Sequence, residues 1–170
     1  DIIVELDPGM AFGTGTHETT ALCIEALEKY VNGDSLVYDI GCGSGILSIV
    51  SAKLGAKKVI GIDLDELSVK VSKENVELNN VQEKVEIRKG NLLDNVSDKA
   101  DIIVSNIIAE TIIHMIPDLK DYLTHNGIFI ASGIIVEKLN NVKDALIDNG
   151  FNILEEKTMN DWAVLVAKMK

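Results

Sequence analysis

The chain has 170 residues, 46% of them apolar and 25% charged, with a formal net charge of −11. That composition describes one globular domain rather than a disordered or fibrous chain, and the lack of any run of about 18 apolar residues excludes a spanning helix. The negative balance argues against nucleic acid, whose readers displace counterions with a basic face, and favours a basic protein as the molecule to be attracted.

The opening Asp1-Ile2-Ile3-Val4-Glu5 lacks the basic flank and small-residue cleavage site of a signal peptide, so a cytoplasmic location is expected. It also begins inside an apolar stretch, which suggests a missing N-terminal region on which Ile3, Leu6 and Met10 packed. Cys23 and Cys42 have neither metal nor disulfide spacing and read as packing residues in a reducing compartment. His114 and His125 have no neighbouring ligand pattern, so no metal is expected.

The segment "AFGTGTHETT", residues 11–20, is rich in small and hydroxyl residues and leads into a helix. Cys23, Ile24, Leu27 and Val31 form the face of that helix, with Thr16 as its N-cap. His17 either lines a site here or caps and packs. From residue 36 the pattern alternates. "LVYDI" (36–40), "KVIGID" (58–63), "KVEIRKG" (84–90), "DIIVSN" (101–106) and "GIFIASGI" (127–134) are short Val- and Ile-rich runs that predict buried strands. Between them, Leu67, Val71 and Leu78 define a helix over 66–80. Ile112, Ile116, Leu119 and Leu123 define another over 109–124, kinked or restarted at Pro117. Leu139, Val142 and Leu146 define a third over 137–148, closed by Asn149-Gly150. After Gly150, "FNILEEK" and "DWAVLVAKM" flank a polar turn at 158–160 and predict an antiparallel hairpin. Strand–helix repetition requires right-handed crossovers between parallel strands. The expected fold is therefore α/β: a doubly wound, mostly parallel sheet of about seven strands with a C-terminal antiparallel hairpin.

The motif "YDIGCGSG" (38–45) lies at the carboxyl end of the first strand, where doubly wound sheets bind ligands and a glycine turn admits close approach. Gly41, Gly43 and Gly45 read G-x-G-x-G, with Ile46 where a dinucleotide fingerprint needs its third glycine. No Gly-Lys-Ser/Thr of a P-loop follows, so a pyrophosphate is not the favoured guest. Asp63 ends the second strand, where an acid accepts hydrogen bonds from ribose hydroxyls and so points to a nucleoside. Asp39 and the turn Gly90-Asn91-Leu92 are further candidate contacts.

"DIGCGSG" followed by "GIDLD" resembles the class I S-adenosylmethionine-dependent methyltransferases, which have a Rossmann-like fold. "LDPGMAFGTGTHETT" with "SNIIA" at 105–109 narrows the resemblance to the bacterial methyltransferases of ribosomal protein L-eleven, the stalk-base protein, over nearly the whole chain. That resemblance implies S-adenosyl-L-methionine as cofactor, contacts from Thr20, Gly41, Asp63 and Asn106, and Phe12 covering the transfer pocket; Gly43 of the glycine turn and Asn91 of the turn after the third strand are the further cofactor contacts expected. It implies Asn106 as the catalytic residue and a ribosomal protein as substrate, with transfer to an α-amine or to lysine. It also implies an N-terminal recognition domain absent from this chain, a cofactor-covering loop and helix over 1–35, and a catalytic core over 36–170. Relatives that methylate amides or amines carry Asp/Asn-Pro-Pro-aromatic after the fourth strand, whereas Asn106 is followed by Ile107-Ile108-Ala109. Without an aromatic platform, a flexible amine is favoured over a nucleobase. Three alternatives remain open: a class I enzyme acting on RNA or a small molecule, a nicotinamide-dependent oxidoreductase, and a non-catalytic module that keeps the fold.

Overall fold

Short apolar runs become central strands here because both of their faces are covered. The computed structural model describes residues 2–6 and 17–170, apart from the side chain of His17. Its strands are β1 (Leu36–Ile40), β2 (Lys58–Asp63), β3 (Val85–Lys89), β4 (Ala100–Asn106), β5 (Leu123–Ile135), β6 (Phe151–Met159) and β7 (Trp162–Met169). They form one seven-stranded sheet in the order β3-β2-β1-β4-β5-β7-β6. The first five run parallel, and β7 pairs antiparallel with both β5 and β6. The terminal hairpin thus joins the sheet through its second strand. The strand order reverses between β1 and β4, so their carboxyl ends form the switch point where this architecture places ligands.

The helices are α1 (His17–Tyr30), α2 (Ile46–Lys53), α3 (Glu66–Leu78), α4 (Ala109–Met115) and α5 (Leu139–Asp148). Strand residues alternate between two apolar layers. Tyr38, Ile40, Ile60 and Ile62 face Ile112, Met115, Val142 and Leu146 of α4 and α5. Val37, Val59 and Val104 face Leu22, Cys23, Leu27, Leu47 and Val76 of α1, α2 and α3. Of the stripe expected on a helix over 109–124, Ile112, Ile116 and Leu119 are buried on helical turns that end at Asp121, while Leu123, also buried, opens β5 instead; each such side chain is worth about 1.5–3 kcal/mol when removed from water. Pro117 restarts the helix as a 3₁₀ segment over Ile116–Asp121, since its ring forbids the regular bond to the preceding turn. Cys23 and Cys42 are free and buried, as packing residues are.

Three local expectations change, and one helix has no legible stripe. No helix joins β3 to β4; residues 90–99 cross over two strands as a string of turns. Helix α2 had no assigned bounds because Leu47, Ile49, Val50 and Ala52 are buried around its circumference along with Ser48 and Ser51, which leaves no amphipathic stripe to read. In α3 the expected face holds only at Val71: Leu67 and Leu78 are exposed, and Ser68, Ser72, Asn75 and Val76 are buried with Val71 instead. Finally, β6 runs through Met159 and the chain reverses at residues 160 and 161, with Asn160 in the left-handed region at φ 55°. Asn tolerates that conformation better than most residues.

Candidate functional site at the carboxyl ends of the strands

The glycine turn after β1 is built to bring bare backbone to its neighbours. Gly41, Gly43 and Gly45 have φ of 77°, 56° and 87°, a region that side chains disfavour. A Cβ on Gly41 would lie 2.5 Å from Cγ2 of Ile107. The turn is held from two sides. Gly41 and Cys42 donate their N–H groups to the Ile62 carbonyl at 2.8 and 3.0 Å, and Gly43 N–H donates to Oδ2 of Asp63 at 2.9 Å. On the other side Ser72 Oγ donates to the Gly43 carbonyl at 2.6 Å and Asn75 Nδ2 to the Ser44 carbonyl at 2.8 Å. This explains the polar buried face of α3: it packs against carbonyls that need donors, and a leucine there would strand them.

Asp63 sits where β2 ends. Its Oδ2 serves Gly43, and its Oδ1 accepts the Asp65 N–H at 3.0 Å. Each carboxylate oxygen has two lone pairs, so one on each stays available to hydroxyl donors in front of the strand. That front is a cavity of about 360 Å³ whose walls include Gly41, Asp63, Leu64, Asn91, Leu92 and Ile108. Leu64 and Ile108 are 63% and 53% exposed at its lip. One carboxylate between apolar walls suits a nucleoside: hydroxyls bond the acid, and a flat base lies between aliphatic side chains. Sequence reasoning missed Leu64 and Ile108. Their signal was an apolar residue just past a strand end, where neither strand alternation nor helix periodicity calls for one.

Asp39 does not reach this cavity. It lies 1% exposed beneath the glycine turn, where its Oδ2 accepts Ser48 Oγ at 2.7 Å and the carboxyl also takes the Ser48 backbone N–H. Ser48 is in the first turn of α2, so the acid caps a helix start whose own N-cap, Gly45, has no side chain to offer. Burial pushes the Asp39 carboxyl up to about 7; the Ser48 donors oppose the rise and the Asp63 charge adds to it. A folded value above the unfolded one means that the folded chain keeps a proton the unfolded chain gives up. The contribution to stability is full below about pH 4, falls as pH rises toward 7, and totals roughly 4 kcal/mol. Asp39→Asn is expected to flatten this slope, measured as urea midpoints at about pH 5 and pH 8. An unchanged slope would place its origin elsewhere.

Asn106 ends β4 directly beside the glycine turn, since Ile40 and Ser105 are register partners and Ser105 Oγ donates to the Ile40 carbonyl at 3.0 Å. On its other side Asn106 pairs with Ser132 of β5. Gly133 follows with φ 77°, and a Cβ there would lie 2.6 Å from the Ile107 carbonyl oxygen and 2.8 Å from Asn106 Oδ1. Only glycine leaves the amide its place. Ser132 Oγ donates to the Thr19 carbonyl at 3.1 Å, which brings the first turn of α1, with half-buried Thr20, to the same strand ends. Of the expected contacts, Gly41, Asp63 and Asn91 line the cavity. Gly43 is tied to Asp63, while Thr20 and Asn106 stand toward β5. Phe12, the Thr16 cap and the His17 side chain lie outside the described residues. Among the described residues no cluster of His, Cys, Asp and Glu suits a metal, and no helix is long and apolar enough to cross a membrane.

The family model described as ribosomal protein L11 methyltransferase (PrmA) matches residues 1–170. The ribosomal protein L11 methyltransferase of Alkaliphilus oremlandii is 56% identical over 170 residues, which are all of this chain and 54% of that protein. That of Halalkalibacterium halodurans is 53% identical over 168 residues, 99% of this chain and 54% of that protein. The chain therefore spans about half the length of these curated relatives. The crystal structure of a ribosomal protein L11 methylase from Lactobacillus delbrueckii subsp. bulgaricus superposes with a TM-score of 0.95 at 38% identity, covering 99% of this chain and 86% of that one. An M. jannaschii tRNA methyltransferase shares the fold, with a TM-score of 0.81 at 18% identity over 98% of this chain and 54% of that one. By the family model and by identity across its full length, the chain belongs to the ribosomal protein L11 methyltransferase family.

Proposed function

We propose that this chain is the catalytic domain of a cytoplasmic protein N-methyltransferase that takes its methyl group from S-adenosyl-L-methionine. Its acceptors are amino groups, α-amine or lysine, of a ribosomal protein, with ribosomal protein L11 favoured. Residues 36–170 form the core, and residues 1–35 supply a covering loop and helix. The carrying observation is Asn106 at the switch point, one strand from Gly41 and followed by aliphatic Ile107 and Ile108. The cofactor supplies an electrophilic methyl group on a cationic leaving group, so positioning carries much of the rate.

Each described residue has a task in this reading. Asp63 takes the ribose hydroxyls, Leu64, Leu92 and Ile108 take the faces of the base, and Asn91 borders it. Gly41 and Gly43 give bare backbone to the linking atoms, and Thr20 meets the amino-acid tail at the start of α1. Asn106 acts on the acceptor. An attacking amine must first lose its proton, which at pH 7 costs roughly 4.6 kcal/mol for a lysine of pKa about 10.4 but about 1 kcal/mol for an α-amine near 7.8. The neutral Asn106 carbonyl accepts an N–H bond and aims the lone pair without strongly favouring the ammonium form. The α-amine is the easier acceptor, and lysines need help from desolvation.

The test is transfer of a tritiated methyl group from S-adenosyl-L-methionine to a mixture of unmodified ribosomal proteins and ribosomal RNA, resolved on a gel. Label in one protein band is the expected result and identifies the acceptor. Label in RNA alone would overturn the reading, and cofactor binding with no transfer would favour a non-catalytic module.

A further inference from the structure

Ser132 is a polar residue at 0% exposure in an otherwise apolar stretch of β5. Its hydroxyl donates to the Thr19 carbonyl at 3.1 Å, in the first turn of α1. Cys23, one helical turn further along α1, is itself 0% exposed. One hydroxyl thus ties β5 to the start of α1. Its single proton is committed to that carbonyl, which makes the contact directional rather than merely compact. In the sheet Ser132 is the register partner of Asn106, and Gly133 beside it packs bare backbone against Asn106 and Ile107.

The geometry points to Ser132 as a positioning residue for methyl transfer, one that fixes the first turns of α1, with Thr20, relative to Asn106 on the adjoining strand. This rests on the reading given under the proposed function. The two partners of the reaction are held by different elements: α1 meets the donor's tail through Thr20, and β4 meets the amine through Asn106. Displacement of one against the other lengthens the distance between reacting atoms, and an error of about 1 Å in such an alignment costs about 100-fold in rate. A buried hydroxyl linking strand to helix resists that displacement more sharply than aliphatic packing, because it has one donor direction to satisfy.

A double-mutant cycle in the full-length protein, read as kcat for methyl transfer to unmodified ribosomal protein L11, tests this. Ser132→Ala alone is expected to lower kcat about tenfold while the Kd for S-adenosyl-L-methionine, measured calorimetrically, rises no more than about threefold. In an Asn106→Ala background the same substitution is expected to cost less than about twofold, because no aimed amide remains to be misaligned. Equal losses in both backgrounds would reduce Ser132 to a structural role and overturn the proposal. So would an Asn106→Ala protein as active as its parent. Should Ser132→Ala fail to fold, the nearly isosteric Ser132→Cys, a weaker donor, carries the same cycle with a smaller expected loss. A parent protein that binds the cofactor and transfers nothing to protein overturns the functional reading itself, and this proposal with it. A parent that transfers with an additive cycle overturns the positioning role alone.

Discussion

Asn106→Ala is expected to lower the turnover number about 100-fold while leaving the Kd for S-adenosyl-L-methionine within about threefold. The asymmetry follows from where the residue stands. Asn106 closes β4 beside the glycine turn, but the cavity walls that would hold a nucleoside are Gly41, Asp63, Leu64, Leu92 and Ile108. Losing the amide therefore removes an acceptor for the amine and leaves the nucleoside contacts in place. Asn106→Asp sharpens the point. A carboxylate in that position favours the ammonium form of the acceptor, so the variant is expected to lose most activity near pH 7 and recover part of it toward pH 9, about where lysine begins to deprotonate. Equal losses in turnover and affinity, read from single-turnover rates and calorimetry, would make Asn106 a cofactor ligand and remove it from the transfer step.

Asp63→Ala is expected to show the opposite pattern, with cofactor affinity lowered at least 100-fold, on the order of two charged hydrogen bonds at roughly 1.5–3 kcal/mol each. The loss has two parts. The ribose acceptors disappear, and the N–H groups of Gly43 and Asp65 lose the carboxylate that organises the turn. Asp63→Asn keeps an acceptor on only one side and turns an amide donor toward the other, so it is expected to fall between the alanine variant and the parent. At saturating cofactor the turnover number should change by less than about tenfold in either variant, because the acceptor side of the site is intact. A variant that binds normally and turns over slowly would reverse the two assignments.

The parallel strands were legible because they are buried on both faces, which turns alternation into short continuous runs such as "LVYDI" and "DIIVSN". The glycine turn and Asp63 were legible because their spacing has few other uses. Part of what escaped reading shares one physical cause, the service of polar groups by buried side chains. The buried face of α3 carries Ser72 and Asn75 beside Val71 because it meets the carbonyls of the glycine turn, whereas hydropathy places exposed Leu67 and Leu78 on that face. Ser132 reads as one small residue in an apolar strand, since its meaning lies in the Thr19 carbonyl, more than a hundred positions away. Asp39 is a candidate contact by its place near a strand end, and in the structure its carboxyl instead takes the Ser48 donors at the start of α2.

Gly41, Asp63, Asn91, Asn106 and Ser132 stand at or near the ends of five successive strands, separated in the chain by the crossovers that make the sheet parallel. The cavity is complete only when Ile107, Ile108 and Thr111, beyond β4, close over the wall supplied by residues 41–92. It comes into existence only when distant strands have paired, a kind of contact that makes folding slow. A ligand seated there binds the assembled sheet more tightly than a partly assembled chain. Its binding energy is therefore added to the cooperative unfolding of the whole sheet rather than to one loop. Amide exchange should register this as a single event, with β1, β2 and β4 slowing together when the cofactor is added and slowing by the same factor.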